Sequence, residues 1–202
     1  MLTTIEFFAV VSSAMYGILL GCRKRFDAVG LFAVSGAIAF GGGTLRDVFL
    51  DRHPLFWIAK HHYVAIVLGL AVAGSLMPRA MRRLERFLPI PDALGLALFS
   101  ITGAAYALDA GTSLLIASIL AVITGTFGGV IADVICNEIP SLFRSAPLHA
   151  TCSFIGAWVY LLLGQAGAPP QVTMPVGLTV IFLLRMAALK WDIRLPSAED
   201  GE

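Results

Sequence analysis

The sequence predicts an all-α membrane protein of seven transmembrane helices: an inverted three-plus-three helix repeat plus a seventh helix, with glycine-broken second and fifth helices. Three observations predict it. Of 202 residues, 58% are hydrophobic and only 13% charged, with a mean hydropathy of +0.86. That leaves too little polar surface to coat a soluble globule of this size, so the solvent is lipid. Apolar stretches long enough to cross a hydrocarbon core of about 30 Å recur seven times. Finally, a shift of 86 residues lays one half of the chain on the other.

The apolar stretches run at 5–22, 28–50, 62–77, 92–108, 113–137, 147–164 and 172–189. Most of the Pro and charge sits in short links between them: RKRFD, DRHP, PRAMRRLERFLPIPD, LDAG, NEIPSLFRSAP and GQAGAPPQ. No room remains for a soluble domain. The expected organisation is one transmembrane domain over 1–202, with repeats at 5–88 and 92–164, a seventh helix at 172–190 and a cytoplasmic tail at 191–202. The start, MLTTIEFFAVV, has no positive n-region, which argues against a cleaved signal peptide.

Charge placement orients the bundle. With the N-terminus outside, one side carries Arg23, Lys24, Arg25, Arg79, Arg82, Arg83, Arg86, Arg144, Lys190 and Arg194, and the other only Arg52 and Lys60. Ten against two predicts a multi-pass protein with the N-terminus out and the C-terminus cytoplasmic. The remaining two basic residues, Arg46 and Arg185, fall inside spans.

In the repeat, GGTLRDVFLDRHP (Gly42 to Pro54) falls on GGVIADVICNEIP (Gly128 to Pro140). Gly42, Gly43, Asp47, Val48 and Pro54 meet Gly128, Gly129, Asp133, Val134 and Pro140, and Gly17 meets Gly103. Each copy holds three spans, an odd number, so the second is expected upside down relative to the first. In that architecture the conducting site typically lies near the midplane between the copies.

Candidate functional residues follow from what is costly in lipid. Gly41, Gly42 and Gly43, and Gly125, Gly128 and Gly129, invite a helix break, since each glycine costs about 1 kcal/mol relative to alanine. The first triplet lies about 20 Å along its span, where freed backbone groups are tolerated only against protein or a water-filled cavity. The alternative is close helix packing through small residues. Arg46, Asp47 and Asp133 are then expected on the first turn after each break. There the two acids act as helix caps or as cavity-lining charges. Arg46 cannot cap a helix start, and calls for an acidic partner, an acceptor-rich cavity or a substrate anion.

Arg185 is expected to snorkel to the cytoplasmic headgroups. The run Arg79, Arg82, Arg83, Arg86 serves topology or attracts anionic lipid, which makes Arg185, Arg82 and Arg83 candidates for gating or lipid contact. His53, His61 and His62 read as interfacial anchors near Trp57 and Tyr63, and Glu138 with Asn137 as a helix end. Cys22, Cys136 and Cys152 are too scattered for a disulfide framework or a zinc site, and no metal or cofactor is expected. A net charge of +1 gives no pointer to nucleic acid. No G-x-S-x-G, H-E-x-x-H or Walker pattern occurs, so an enzyme is not expected.

Taken together, GGGTLRD with its downstream Pro, DALGLALFSITG, TGTFGGVIADVICNEIP and the closing LLRMAALKWDIRLP resemble the prokaryotic members of the trimeric intracellular cation channel family, also catalogued as glycine-transporter-domain proteins. The resemblance spans residues 5 to 196. It implies a homotrimer of the inner (plasma) membrane with a potassium-permeable pore in each seven-helix protomer, lined around kinked second and fifth helices. Many relatives carry Arg–Asp in both copies, whereas here the second has Ala132–Asp133. Local electrostatics leave the substrate open: half-helix N-termini and Arg46 suit an anion or carboxylate, Asp47 and Asp133 a cation. The alternative to a monovalent cation channel is therefore a secondary transporter of glycine or another small amino acid.

Overall fold

A computed structural model describes residues 1–196; the last six residues of the expected tail lie outside the described residues. The helices are α1 (Leu2–Arg23), α2 (Ala28–Phe49), the single turn α3 (Phe56–Ala59), α4 (His62–Leu76), α5 (Pro78–Leu84), α6 (Pro89–Asp109), α7 (Leu114–Ile135), α8 (Ala150–Gln165) and α9 (Pro170–Lys190). Short 3₁₀ turns at Glu85–Phe87 and Ser141–Phe143 complete the links. Short connections make successive long helices antiparallel, so α1, α4, α7 and α9 run one way and α2, α6 and α8 the other. The end where α1 starts is called the amino end below, and the end where α9 finishes the carboxy end.

Five helices, α1, α2, α6, α7 and α9, are long and apolar enough to cross a membrane. The other two expected spans are shorter than the sequence suggested. α4 has 15 residues, about 22 Å, and bends by 102° into α5. Pro78 explains the corner: it has no N–H to continue the ladder, and it excludes Met77 from helical dihedrals. Met77 accordingly sits at φ −120°, ψ 50°. α5 then runs off at the carboxy end with Arg79, Arg82 and Arg83 exposed and Met81 packed on Ile18 and Leu19. α8 starts at Ala150 because the backbone of 147–148 is already engaged. The Leu148 N–H donates to the Ile193 carbonyl at 2.9 Å, and the carbonyls of Pro147 and Leu148 accept from Arg185. Large apolar side chains such as Val29, Leu76 and Leu183 remain exposed on the helices' outer faces, the pattern of a surface solvated by lipid.

The expected glycine breaks do not occur. α2 and α7 are unbroken helices through all six glycines. Glycine makes a break possible without enforcing one, and here its missing side chain serves close approach instead. A Cβ on Gly42 would lie 2.1 Å from the Thr124 carbonyl oxygen, and one on Gly128 would lie 2.3 Å from the Ile38 carbonyl oxygen. The two helices therefore cross backbone to backbone, small-residue face on small-residue face. Ile38 and Thr124 are themselves 86 residues apart, so the crossing is reciprocal in the repeat register. Gly17 and Gly21 pack within the chain, against Ser35 and Leu31.

Local structure repeats in the same register. α2 and α7 have the same length and bounds shifted by 86. Each starts on a side-chain cap, Asp27 accepting from the Gly30 N–H at 2.8 Å and Ser113 from the Ile116 N–H at 3.3 Å. Each ends in a Schellman closure: the Arg52 N–H donates to the Asp47 carbonyl at 2.8 Å, and the Glu138 N–H to the Asp133 carbonyl at 2.9 Å. Asp51 and Asn137 take the required left-handed φ of 50° and 56°, which short polar residues tolerate.

Candidate functional site

Because α2 and α7 are continuous, the charges expected after a break sit elsewhere. Arg46 and Asp47 lie in the last turn of α2, about 27 Å from its start, and Asp133 in the last turn of α7. The helices are antiparallel, so the structure does not gather the three at one mid-membrane point. Arg46 and Asp47 are at the amino end and Asp133 at the carboxy end. Arg46 thus faces the negative pole of its helix, where a cation is favoured, the reverse of the expectation.

At the amino end the first turns of α1 and the last turns of α2 and α6 converge under α3. Glu6, Arg46 and Asp47 are almost wholly buried, at 0%, 0% and 1% exposure. Arg46 Nε donates to Asp47 Oδ1 at 2.9 Å, and its Nη2 lies 2.8 Å from that oxygen and 3.5 Å from Glu6 Oε1. Lys60 Nζ donates to Glu6 Oε2. Asp47 Oδ2 accepts the Phe56 backbone N–H at 2.8 Å, tying α3 to α2. The Arg46 guanidinium also lies 4.4 Å from the Tyr106 ring centroid and 5.2 Å from that of Phe56, while Arg52 caps Tyr106 at 3.8 Å. Arg46 Nη1 has no hydrogen-bond acceptor among the described residues, and the ring faces compensate part of that cost. Outside Arg46, which does not line it, a hollow of about 310 Å³ opens along Glu6, Asp47, Arg52, Phe56, Lys60 and Tyr106. At Lys60 burial is the largest single influence and would lower the pKa, but the hydrogen bond to Glu6 and the attraction of its charge together outweigh it and the pKa is raised.

The carboxy end contains a cavity of about 190 Å³, room for about six waters. Its lining includes Ser13 and Tyr16 of α1, Asp92 of α6, Asp133 of α7, His149 and Arg185. Gly125 and Gly129 form part of its wall, and a Cβ on Gly129 would meet nothing within 4 Å. Arg185 does not snorkel. It is 8% exposed, with Nε and Nη2 at 3.1 and 2.9 Å from Asp92 Oδ2, and Nη1 at 2.8 and 2.9 Å from the carbonyls of Pro147 and Leu148. Asp133 accepts the Ser141 backbone N–H at 2.9 Å and has no cationic partner within salt-bridge distance among the described residues. At the rim Lys24 pairs with Glu138. Their hydrogen bond holds the Glu138 carboxyl below its usual range and raises the Lys24 ammonium.

The two ends are register equivalents. Adding 86 carries Glu6 to Asp92, Asp47 to Asp133, Phe56 to Leu142, Lys60 to Ala146 and Tyr63 to His149, while Leu20 maps onto Tyr106. Glu6 and Asp92 were missed in the sequence reading. The signal that finds them is the repeat itself, extended to the first helix of each copy, where an acid stands in both. Arg82 and Arg83 are exposed on α5 and belong to neither cluster.

Comparison with known proteins follows the same register. The profile of the glycine transporter family matches residues 3–79 and again 89–165. The inner membrane protein YadS of Escherichia coli (strain K12) is 35% identical over 186 residues, 91% of this chain and 89% of that protein. A membrane protein of Vibrio cholerae is 35% identical over 198 residues, 98% and 82% of the respective chains. The structure of the trimeric intracellular cation channel orthologue from Rhodobacter sphaeroides superposes with a TM-score of 0.88 at 34% identity, covering 95% of this chain and 98% of that one. Relatives in the inner membrane and the apolar helices make this a multi-pass inner membrane protein. Matched in both halves by the family profile and along nearly its whole length by these relatives, the chain belongs to the glycine transporter family as a prokaryotic member of the trimeric intracellular cation channels.

Proposed function

We propose that the protein is a channel for monovalent cations, potassium among them, with one conduction path through each protomer of a homotrimer. The observation that carries this reading is the carboxy-end cavity, where two carboxylates, Asp92 and Asp133, face one guanidinium, Arg185. A water-sized space with excess negative charge favours a cation over an anion. Similarity to solved cation channels supports the same direction. The path runs from this cavity past the crossing of α2 and α7 to the amino end, which Arg46 closes in the described conformation.

The membrane arrangement belongs to the same proposal. Basic residues partition ten to two, which supports a cytoplasmic carboxy end and an external amino end. Seven spans are reached with α4 and α8 as short ones. The reciprocal Gly42–Thr124 and Gly128–Ile38 contacts are what a two-fold axis in the membrane plane requires of its two copies, and they support an inverted repeat with boundaries near 5–88 and 92–164. Exposed Arg82 and Arg83 suit contact with anionic headgroups.

One observation favours a second reading. No residue lines both end hollows, and between them α2 crosses α7 backbone to backbone, which resembles an occluded state of an alternating-access carrier, and the solute would then be glycine or a similar amino acid. Purified protein in planar bilayers and proteoliposomes decides. A channel gives unitary potassium current above that of chloride and no saturable glycine uptake. Saturable, gradient-driven glycine uptake without unitary current overturns the channel.

A further inference from the structure

We propose that Arg185, on the helix outside the repeat, takes the place of the arginine that the second copy lacks at position 132, and that the space vacated at 132 is the cavity. In the first copy, the acid of the first helix, Glu6, faces an arginine from the second helix, Arg46, at 3.5 Å. In the second copy the matching acid is Asp92, but position 132 is alanine, buried at 1% and lining the cavity. Asp92 is nevertheless paired, because Arg185 reaches it from α9 at 2.9 Å. The charge pattern of acid, arginine and second acid is thus present at both ends, yet the arginine arrives from opposite directions. At the amino end it lies wholly buried between Glu6, Asp47 and the Phe56 and Tyr106 rings, inward of that end's own hollow, which it does not line. At the carboxy end it comes from the flank and leaves the space at 132 open.

The substitution extends beyond one residue. Where the amino end has Lys60, Phe56 and Tyr106, the carboxy end has Ala146, Leu142 and Leu20, all three lining the cavity. Each exchange shortens a side chain, and with alanine at 132 the carboxy-end hollow reaches inward to Ala132 beside the kept acids, whereas the amino-end hollow, lined by Lys60, Phe56 and Tyr106, stops short of Arg46. Arg185 is therefore a positioning residue. It neutralises Asp92, staples α9 to the backbone at 147–148, and leaves Asp133 as the carboxylate free to face a passing cation. This last role rests on the channel reading, whereas the replacement of one arginine by another does not.

The experiment returns the arginine to the repeat. Arg185→Ala should lower the unfolding temperature of the detergent-solubilised protein by about 10 °C, the scale for breaking a buried ion pair in a chain of this size. Ala132→Arg added to it should recover about half of that loss, because the new guanidinium reaches Asp92 as Arg46 reaches Glu6. Ala132→Leu added instead should recover none, which separates charge replacement from cavity filling. In bilayers Ala132→Arg alone should cut cation current about tenfold or more by placing a fixed positive charge in the path. If Ala132→Arg rescues no better than Ala132→Leu, Arg185 is only a staple for α9 and the inference falls. If rescue occurs but Ala132→Arg carries current like the parent, the replacement stands and the cavity is not on the path. If the parent itself carries no current, the thermal arm alone decides.

Discussion

The amino and carboxy ends of this molecule share one register and hold their arginine in different ways. At the amino end Arg46 is fully buried against the Phe56 and Tyr106 rings and beside the buried Glu6 and Asp47, with Arg52, Lys60 and a hollow of about 310 Å³ outside it. At the carboxy end the equivalent positions hold two carboxylates and an alanine, the arginine arrives from α9 outside the repeat, and the cavity measures about 190 Å³. The bounds, caps and closures of α2 and α7 are matched, so the difference lies in side chains and in α9, which has no counterpart in the first copy. A duplicated fold supplies two equivalent sites, and the source of the arginine decides how far inward each hollow reaches. The charges lining the two hollows sum alike to −1 (Arg52 and Lys60 against Glu6, Asp47 and Asp51; Arg185 against Asp92 and Asp133), and what differs is Arg46, a buried positive charge behind the amino-end hollow only.

The largest effect should come from mutating the matched acids. Asp47→Ala strips Arg46 of its shortest bonds and frees the buried Phe56 N–H, which should cost about 3–5 kcal/mol. Asp133→Ala loses one hydrogen bond at the edge of a hollow and should cost about 1 kcal/mol. Thermal or denaturant unfolding in detergent measures both. Equal losses would mean that the carboxy end is as tightly packed as the amino end, and would break the comparison.

Next come the matched glycines. Gly42→Ala drives a methyl group into the Thr124 carbonyl, 2.1 Å away, and should cost about 1–3 kcal/mol. Gly129→Ala meets nothing within 4 Å and should be neutral, or stabilising by up to about 1 kcal/mol through helix propensity. A tolerated Gly42→Ala would show that α2 and α7 do not cross as closely as described.

For conduction, the two ends should respond with opposite sign. Arg46→Ala leaves both amino-end acids with a cation, Lys60 for Glu6 and Arg52 for Asp47, and removes the charge that seals the path. Potassium conductance or open probability should rise several-fold. Asp133→Asn should instead lower cation-over-anion preference, read as a reversal potential moving toward zero in a KCl gradient. If both variants fold and neither changes current, the charges are structural.

Helix existence and most bounds were legible from sequence, because apolar length and Pro or Gly punctuation report local physics. The repeat was legible from five identities in 13 aligned positions. What misled was treating glycine as a breaker. A Gly triplet reads the same whether it frees the backbone or admits a neighbouring helix, and only the partner, Thr124 or Ile38, distinguishes the two. Arg185 misled for a related reason: its position near a span end fits snorkelling, and its partner Asp92 is 93 residues away. Asp92 was hidden at the edge of a predicted span, where an acid looks unremarkable unless it is set beside Glu6.

The smallest effect expected lies at the rim, where the register pairs Arg52 with Glu138, opposite charges at equivalent positions. Glu138 is joined to Lys24 across the carboxy end, linking the α1–α2 turn to the α7–α8 link. The acid's pKa is lowered by this bond, so its contribution is complete above the ordinary value of 4.5 and is lost as pH falls through the lower folded value. The ammonium's pKa is raised, so its contribution is complete below 10.5 and is lost as pH rises through the higher folded value. The pair therefore acts evenly across neutral pH and fades at both extremes. Both side chains are solvent-accessible, which limits the pair to about 1 kcal/mol or less and makes it salt-sensitive. Lys24→Gln should lower the unfolding temperature by about 2–4 °C at most between pH 6 and pH 9, and the difference from the parent should shrink below pH 4 and in molar salt. A difference that grows on acidification would mean that Glu138 gains its main partner elsewhere, and that the two links are held together by packing alone.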